Sequence, residues 1–593
     1  MTETPAAGSH IPSTPATPVV WGSDVIADTI RALGYRYIAL VPGSSFRGLH
    51  DSLVNHLGNH DPSLVVCLHE EHAVSIADGF SRVAQEPMAV ALHANVGVMH
   101  ASMTIFNAWC DRRPMLIIGA TGPVDARKRR PWIDWIHTSK DQAALIRNFI
   151  KWDDQPTSPE AAIEAVLRAD QITRTAPAGP VYVCLEVEMQ ETALDRTVKV
   201  PDIRRFSLPE APAAPADTLK KVVDALRAAK SPLLLFGRGS RASAAWRNRV
   251  ALGEALGATV MTTLHNAACF PTEHPLHHLP PVGERPDAAE NALLRQADLI
   301  VSFDWHDLAG FLSARFGEMQ TQTPAPPPIV HCSVDGLAAN GWSMDHQAFP
   351  AADIRVLADP DSFVRQLLVE ISGHKDWTPA VRHGTGHWTD DAPTGPDASL
   401  PFNSEQLAFT LTAFSRVKDV TFARLPFGWP RIASRFTTPI DFLGKDGGGA
   451  VGTGTGHTVG AALALKDSGR LTIGVIGDGD YLMGVTALWT AAHMKIPMMM
   501  VVANNRSYYN DEVHQERMAR QRGRPVENKG IGQKLDDPAP DLVGLARCQG
   551  FEGGESVRDA LALQRALDRG AAVVAAGGRY LIDALIIPGY SDK

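Results

Sequence analysis

Residues 471 to 507 read LTIGVIGDGD, then YLMGVTALWTAAHMKI, then PMMMVVANNRS, the pattern of a strand, an amphipathic helix and a second strand. Apolar runs without polar alternation suit strands covered on both faces, and a helical crossover between them makes the pair parallel. Open sheets of such strands collect ligands outside their carboxyl ends. Asp478 and Asn505 each follow one of the two strands, so both are expected to face one crevice. Gly477 and Gly479 are expected to let the backbone turn sharply and approach a ligand. Hard oxygen ligands beside exposed loop amides suit a Mg²⁺ ion holding a diphosphate.

The same alternation runs through most of the chain. Helix-like DVIADTIRALG precedes YIALV, and further apolar runs follow at SLVVCL, MAVALH, MLIIGA and GPVYVCLEV. Each is bounded by Gly, Pro or a polar turn, the mark of a mostly parallel, doubly wound α/β sheet. A chain of 593 residues exceeds one hydrophobic core. Three domains are expected at residues 21–191, 217–372 and 403–593. The Pro/Ala-rich 192–216 and the Pro/Gly-punctuated 373–402 read as linkers, and residues 1–20 as a disordered arm. The net charge of −9 offers no general nucleic-acid footprint, and no apolar run is long enough to span a membrane. Six isolated cysteines without metal spacing read as reduced packing residues of a cytoplasmic protein.

Strand, GDG, helix, strand and Asn-Asn together resemble the cofactor motif of the thiamine diphosphate (ThDP) enzymes, with three α/β domains like those of its decarboxylase group. The resemblance implies ThDP and Mg²⁺ as cofactors, with the metal held by Asp478, Asn505 and the Ser507 carbonyl. Residues 65–83, VVCLHEEHAVSIADGFSRV, resemble the family segment in which a glutamate ends a strand ahead of an ADGY/F helix. That glutamate is Glu70. A carboxyl group with restricted water access can exchange a proton with the cofactor's aminopyrimidine, and Glu71 is left to complement the helix dipole. The glycine-rich GGGAVGTGTG places Val451 where the family has an apolar wedge between the two cofactor rings. His69 and His72, at i and i+3, lack the i, i+4 spacing of a zinc helix and read as polar residues at a helix entry.

The benzoylformate decarboxylase branch has a histidine closing the strand matched by MAVALH, here His93, and a serine in a PGS turn, here Ser44. A histidine can shuttle protons near neutral pH, and a serine can hold a substrate carboxylate. Acetolactate synthases have an Arg after a middle-domain strand where this chain has His306, and a Trp past the Asn-Asn where it reads NNRSYYNDEVHQE. Both departures point away from a standard acetolactate synthase. The middle-domain FGRGS is a short glycine turn, and this domain is expected to bind no nucleotide. Basic runs at residues 125–142 and 516–534 are candidates for the mouth of the site, and the second for a lid.

The expected activity is that of a ThDP- and Mg²⁺-dependent 2-oxo acid decarboxylase or carboligase, a lyase acting on a 2-oxo acid or aldehyde. Its candidate catalytic residues are Glu70, His93 and Ser44, with Glu70, Val451, Gly477, Asp478, Gly479 and Asn505 at the cofactor. The alternatives are an acetolactate synthase-like transferase, a 2-hydroxyacyl-CoA lyase and a non-catalytic cofactor-binding protein. In the family the glutamate and diphosphate domains meet across subunits, which implies a homodimer or a dimer of dimers, with neither nucleic acid nor membrane as a partner.

Overall fold

The computed structural model describes residues 21–589 except 196, 279, 284–286, 318–325, 339–348, 375–376, 378–396 and 398. The expected arm and most of the second expected linker lie outside the described residues. Strands β1 (Tyr37–Leu40), β2 (Ser63–Val66), β3 (Met88–Leu92), β4 (Met115–Thr121), β5 (Asp153–Asp154) and β6 (Pro180–Glu186) form a first sheet, in the order β2-β1-β3-β4-β6-β5. The second sheet holds β7 (Pro232–Phe236), β8 (Thr259–Met261), β9 (Leu299–Phe303), β10 (Ile329–Cys332) and β11 (Ile354–Val356), ordered β11-β10-β9-β7-β8. The third holds β12 (Val420–Arg424), β13 (Leu471–Gly477), β14 (Met498–Asn504), β15 (Glu552–Gly553) and β16 (Arg579–Leu585), ordered β12-β13-β14-β16-β15. Every pairing of these strands is parallel. Each order reverses direction partway along its sheet, which is the doubly wound architecture.

The apolar runs become strands because both faces are covered. Strands β3, β4, β7, β9 and β14 are buried at every position. One core cluster spans the first and third domains, joining Val74, Ile76 and Phe80 to Val459, Leu463, Ile476 and Val502. The seam between them is the contact of helix Glu70–Ala84 with helix Gly454–Leu465. It is tight because glycines face backbone there. A Cβ at Gly460 would stand 1.9 Å from the Ile76 carbonyl oxygen, and one at Gly79 would stand 2.1 Å from that of His457. The ADGF sequence is therefore a welding motif: Gly79 admits the second helix, and Asp78 beside it is completely buried. Gly460→Ala is expected to force the helices apart and destabilise the protein by about 1–3 kcal/mol, the usual range for overpacking, read as a lower calorimetric unfolding midpoint.

Charge crosses the same seam. Asp78 lies 2.9 Å from Arg82 and 3.0 Å from His457, and His457 lies 2.9 Å from Asp446. Asp446 pairs with Arg424, and Arg82 with Asp111. Burial alone would lower the His457 pKa, but Asp446 and Asp78 raise it to about 9. Burial likewise opposes ionisation of Asp78, yet Arg82 and His457 hold its carboxyl well below the usual range.

Two local expectations differ from the structure. The segment between β13 and β14 forms two helices, Asp478–Gly484 and Ala487–His493, because Gly484 is pressed so closely on the Gly452 carbonyl that a Cβ would lie 2.4 Å from it. The cysteines are all free, but Cys548 is exposed and Cys110 only partly buried, since each stands near the end of its helix. No helix among the described residues is long and apolar enough to cross a membrane.

Candidate active site

Strands β13 and β14 pair from Ile473↔Met499 to Gly477↔Ala503, which brings their carboxyl ends side by side. Asp478, Asn505 and Ser507 line one cavity of about 420 Å³, together with Val451, Gly477, Gly479 and Tyr508. Asp478 is buried, accepts the Gly479 N–H at 2.9 Å through Oδ1 and accepts the Ser507 N–H at 3.1 Å through Oδ2. Burial nevertheless raises its pKa to about 6. Among the described residues no cation is paired with it, so a divalent ion fits the donor set: a carboxylate, the Asn505 amide oxygen and the Ser507 carbonyl are hard oxygen ligands.

The loop that presents these groups is held in a costly conformation. Arg506 has φ +56°, a region bulky residues rarely enter. The kink turns the Ser507 N–H back onto Asp478 and also, at 3.0 Å, onto Asn505 Oδ1. The two asparagines divide the work. Asn504 is buried and donates to Asp583 at 2.9 Å, whereas Asn505 faces the cavity.

The glycines act differently from the expectation of a sharp turn. Gly477 has φ −74°, and neither it nor Gly479 has a positive φ. A Cβ on Gly479 would stand 2.5 Å from the Tyr508 ring, whereas nothing lies within 4 Å of one on Gly477. Gly479 thus makes room for an aromatic wall, and Gly477 leaves open space.

Val451 is 38% exposed and lines the cavity. Its turn is clamped by Asp480, which accepts the Gly452 and Gly454 N–H groups at 2.7 and 3.2 Å. The second acid of the GDGD run is thus a structural part of the site that sequence reading overlooked; its only signal was an acid so close to the first.

Glu70 is placed elsewhere. It opens its helix, is buried, and is not among the residues lining the Asp478 cavity. It converges instead with His69 and His100. Its neighbour Glu71 turns the opposite way: a Cβ on Gly452 would lie 3.7 Å from Glu71 Oε1, and burial, then the charge of Asp480, raise the Glu71 pKa. His69 caps the helix by accepting the Glu71 N–H. His72, read from sequence as an ordinary polar residue, is buried; burial lowers its pKa to about 4, and Nδ1 lies 3.3 Å from Thr486 Oγ1.

His93 follows β3 at the N-cap position of helix Ala94–Cys110, where Ser45 Oγ, not the His93 side chain, accepts the Ala94 N–H at 3.2 Å. It presses on the PGS turn so closely that a Cβ at Gly43 would lie 2.4 Å away. The hydroxyl that meets it belongs to Ser45, with Oγ 2.8 Å from His93 Nδ1, while Ser44 is exposed. Ser45 and His137, whose ring stands edge-on to His93 at 4.7 Å, are site candidates that sequence reading missed, because only the 3-10 turn at Ser44–Phe46 and the fold of the 122–142 loop select them. Burial, then His137, lower the His93 pKa.

His306 lines the Asp478 cavity and is 2.7 Å, at Nδ1, from Arg238 of the FGRGS turn. Burial, then Arg238, lower its pKa to about 3, which leaves a neutral ring. Part of each basic run is paired in place: Arg127 with Asp125, Lys128 with Glu188, Arg130 with Asp134, and Arg520 and Lys529 both with Glu516. The field at the mouth is therefore weaker than the count of basic residues implies. Helix Tyr509–Gln521 starts at the cavity wall.

Comparison with known proteins gives matches to three family models: the thiamine pyrophosphate enzyme N-terminal TPP binding domain over residues 20–145, the central domain over 219–367 and the C-terminal TPP binding domain over 428–584. The chain is 26% identical to a benzoylformate decarboxylase of Pseudomonas aeruginosa, over 75% of this chain and 79% of that one. It is 25% identical to the acetolactate synthase isozyme 1 large subunit of Escherichia coli, over 82% and 81%. The crystal structure of a benzoylformate decarboxylase from Polynucleobacter necessarius superposes with a TM-score of 0.79 at 21% identity, covering 97% of this chain and all of that one.

Proposed function

Because the chain belongs to the thiamine pyrophosphate enzyme family, we propose that it is a ThDP- and Mg²⁺-dependent lyase or carboligase acting on 2-oxo acids at the bond next to the carbonyl. The observation that carries this reading is the oxygen set of Asp478, Asn505 and Ser507 at one cavity, beneath Val451 and its clamped turn. Relatives that are a benzoylformate decarboxylase and an acetolactate synthase support the reaction class. When bound, ThDP supplies a thiazolium carbon that adds to carbonyls and an electron sink for bond cleavage.

The chain's residues have separable roles in this reading. Asp478, Asn505 and the Ser507 carbonyl hold the cation, and with it the diphosphate. Gly477 leaves room for the phosphates, and Val451 sets the angle between the cofactor rings. Glu70 exchanges a proton with the aminopyrimidine nitrogen N1′. His93, with a pKa below its ordinary value, is neutral at pH 7 and able to accept a proton on the substrate side, where Ser45 orients Nδ1. Ser44, exposed on the same turn, is retained as a candidate contact for the substrate carboxylate.

The separation of Glu70 from the Asp478 cavity supports a homodimer or a dimer of dimers. Helix Ala94–Cys110, which carries His100, leaves Met99 54% exposed and Met103 41% exposed, an apolar stripe suited to a second copy. An active monomer in sedimentation would overturn this assembly.

The test of function is a panel of aliphatic, aromatic and dicarboxylic 2-oxo acids with ThDP and Mg²⁺, read as CO₂, aldehyde and ligated product. No turnover of any member would reject the reading. Asp478→Ala is expected to weaken ThDP binding in the presence of Mg²⁺ by about 2–5 kcal/mol, the range for removing one partner of a buried charge pair. Chelation of the metal should reproduce the loss in the parent and add little to it in the variant, measured by fluorescence quenching.

A further inference from the structure

Glu70 is held by more than its own helix. Its Oε2 lies 3.0 Å from Nδ1 of His100, which stands nearly two turns into helix Ala94–Cys110. The His100 ring is stacked on that of His69, with centroids 5.0 Å apart and planes 18° from parallel. His69 is itself anchored, accepting the Glu71 N–H at Nδ1 over 3.2 Å. A chain of restraints thus runs from the helix start through two rings to one oxygen of a buried carboxyl. Residues elsewhere in the chain explain the rest of the cofactor site, but none of the roles assigned above uses His100.

We propose that His100 is a positioning residue for Glu70: it donates from Nδ1 to Oε2, so that Oε1 alone is presented to the cofactor. The consequence concerns one proton. When Glu70 passes its proton from Oε1 to the ring nitrogen N1′, a carboxylate is left behind, and the His100 N–H stabilises that charge through a charge-assisted hydrogen bond. No other bond changes, and the proton returns by the reverse path. The stack on His69 fixes the plane in which the His100 N–H meets Oε2. The inference rests on the reading that Glu70 meets the aminopyrimidine, and it adds a residue that the reading does not require.

Two measurements test it, one of them free of cofactor. In apoprotein with ¹³C-labelled histidine, the resonance that disappears in His100→Asn reports the His100 ring. At a fixed pH, replacing Glu70 by Gln should move that resonance, because the ring nitrogen exchanges a carboxyl partner for an amide; an unmoved resonance overturns the contact. The second is the rate at which the C2 proton of bound ThDP exchanges with deuterated solvent. His100→Leu should slow it about tenfold or more, the low end of a general acid–base contribution being larger still, with the ThDP dissociation constant changed less than threefold. His100→Asn, which keeps an N–H near the position of Nδ1, should restore most of the rate. Equal rates in the parent and His100→Leu would reject the role of His100 alone. An unchanged rate in Glu70→Gln would reject the reading of Glu70 on which it depends. His100 is half exposed, so both variants should fold, and loss of ThDP binding in both would mark a merely structural residue and overturn the proposal.

Discussion

Glu70→Gln is expected to reduce kcat and kcat/KM together by on the order of 10²–10⁴, the contribution typical of a positioned acid or base, while ThDP still binds. An equal fall in both constants marks an interaction made in the transition state and not in substrate binding. Gln keeps the volume and one oxygen acceptor of the buried side chain, so the loss isolates the transferable proton. The adjacent Glu71 supplies the control. It faces Gly452 of its own chain, so Glu71→Gln should leave the C2 exchange of bound ThDP close to that of the parent. A Glu70→Gln enzyme with full activity would end the proposed mechanism, whatever the panel of substrates shows.

Asp78→Ala is expected to be the most destabilising single change, by about 3–5 kcal/mol, because removing one member of a buried ion pair leaves its partners charged and unsolvated. Here the partners are Arg82 and His457, both almost wholly buried. Arg113, 3.9 Å away, adds to the uncompensated charge. Calorimetry should show a lower unfolding midpoint, and a midpoint within a degree of the parent would refute the role of the network.

The same network sets a pH window. His457 has a folded pKa of about 9, above its ordinary 6.5, so its contribution is fully present below about pH 6.5 and is lost as pH rises through 9. Asp78 and Asp446 are held below the ordinary 3.8. Their contribution is present above that value and is lost as pH falls beneath it. The parent should therefore lose stability on the alkaline side between about pH 7 and 9. His457→Gln, though less stable at pH 7, should show a flatter profile there. A parent profile without that alkaline decline would rule out a charged His457.

The distribution of apolar residues was enough to identify three doubly wound α/β units, because strands buried on both faces cannot carry alternating polar residues. It also placed Asp478 and Asn505 together, since residues just beyond two adjacent parallel strands have nowhere else to go. Even the division between Asn504 and Asn505 has a sequence origin: the first still belongs to the strand and is buried with it, and the second lies past its end. What the one-dimensional pattern left open were the contacts between segments distant along the chain. ADGF looked like part of a cofactor signature, but Asp78 and Gly79 serve the seam with helix Gly454–Leu465, which brings residues nearly four hundred positions away within 3 Å of them. Ser44 and Ser45 are chemically identical, and only the turn that buries one of them against His93 chooses between them. Glu70 and Glu71 differ in the same way: helical geometry sends neighbouring side chains in directions about 100° apart, one to His100 and the other to Gly452. Local sequence determined which residues could do the chemistry, and packing between domains decided which of each pair is positioned to do it, because a side chain's environment is built from every element that folds against it.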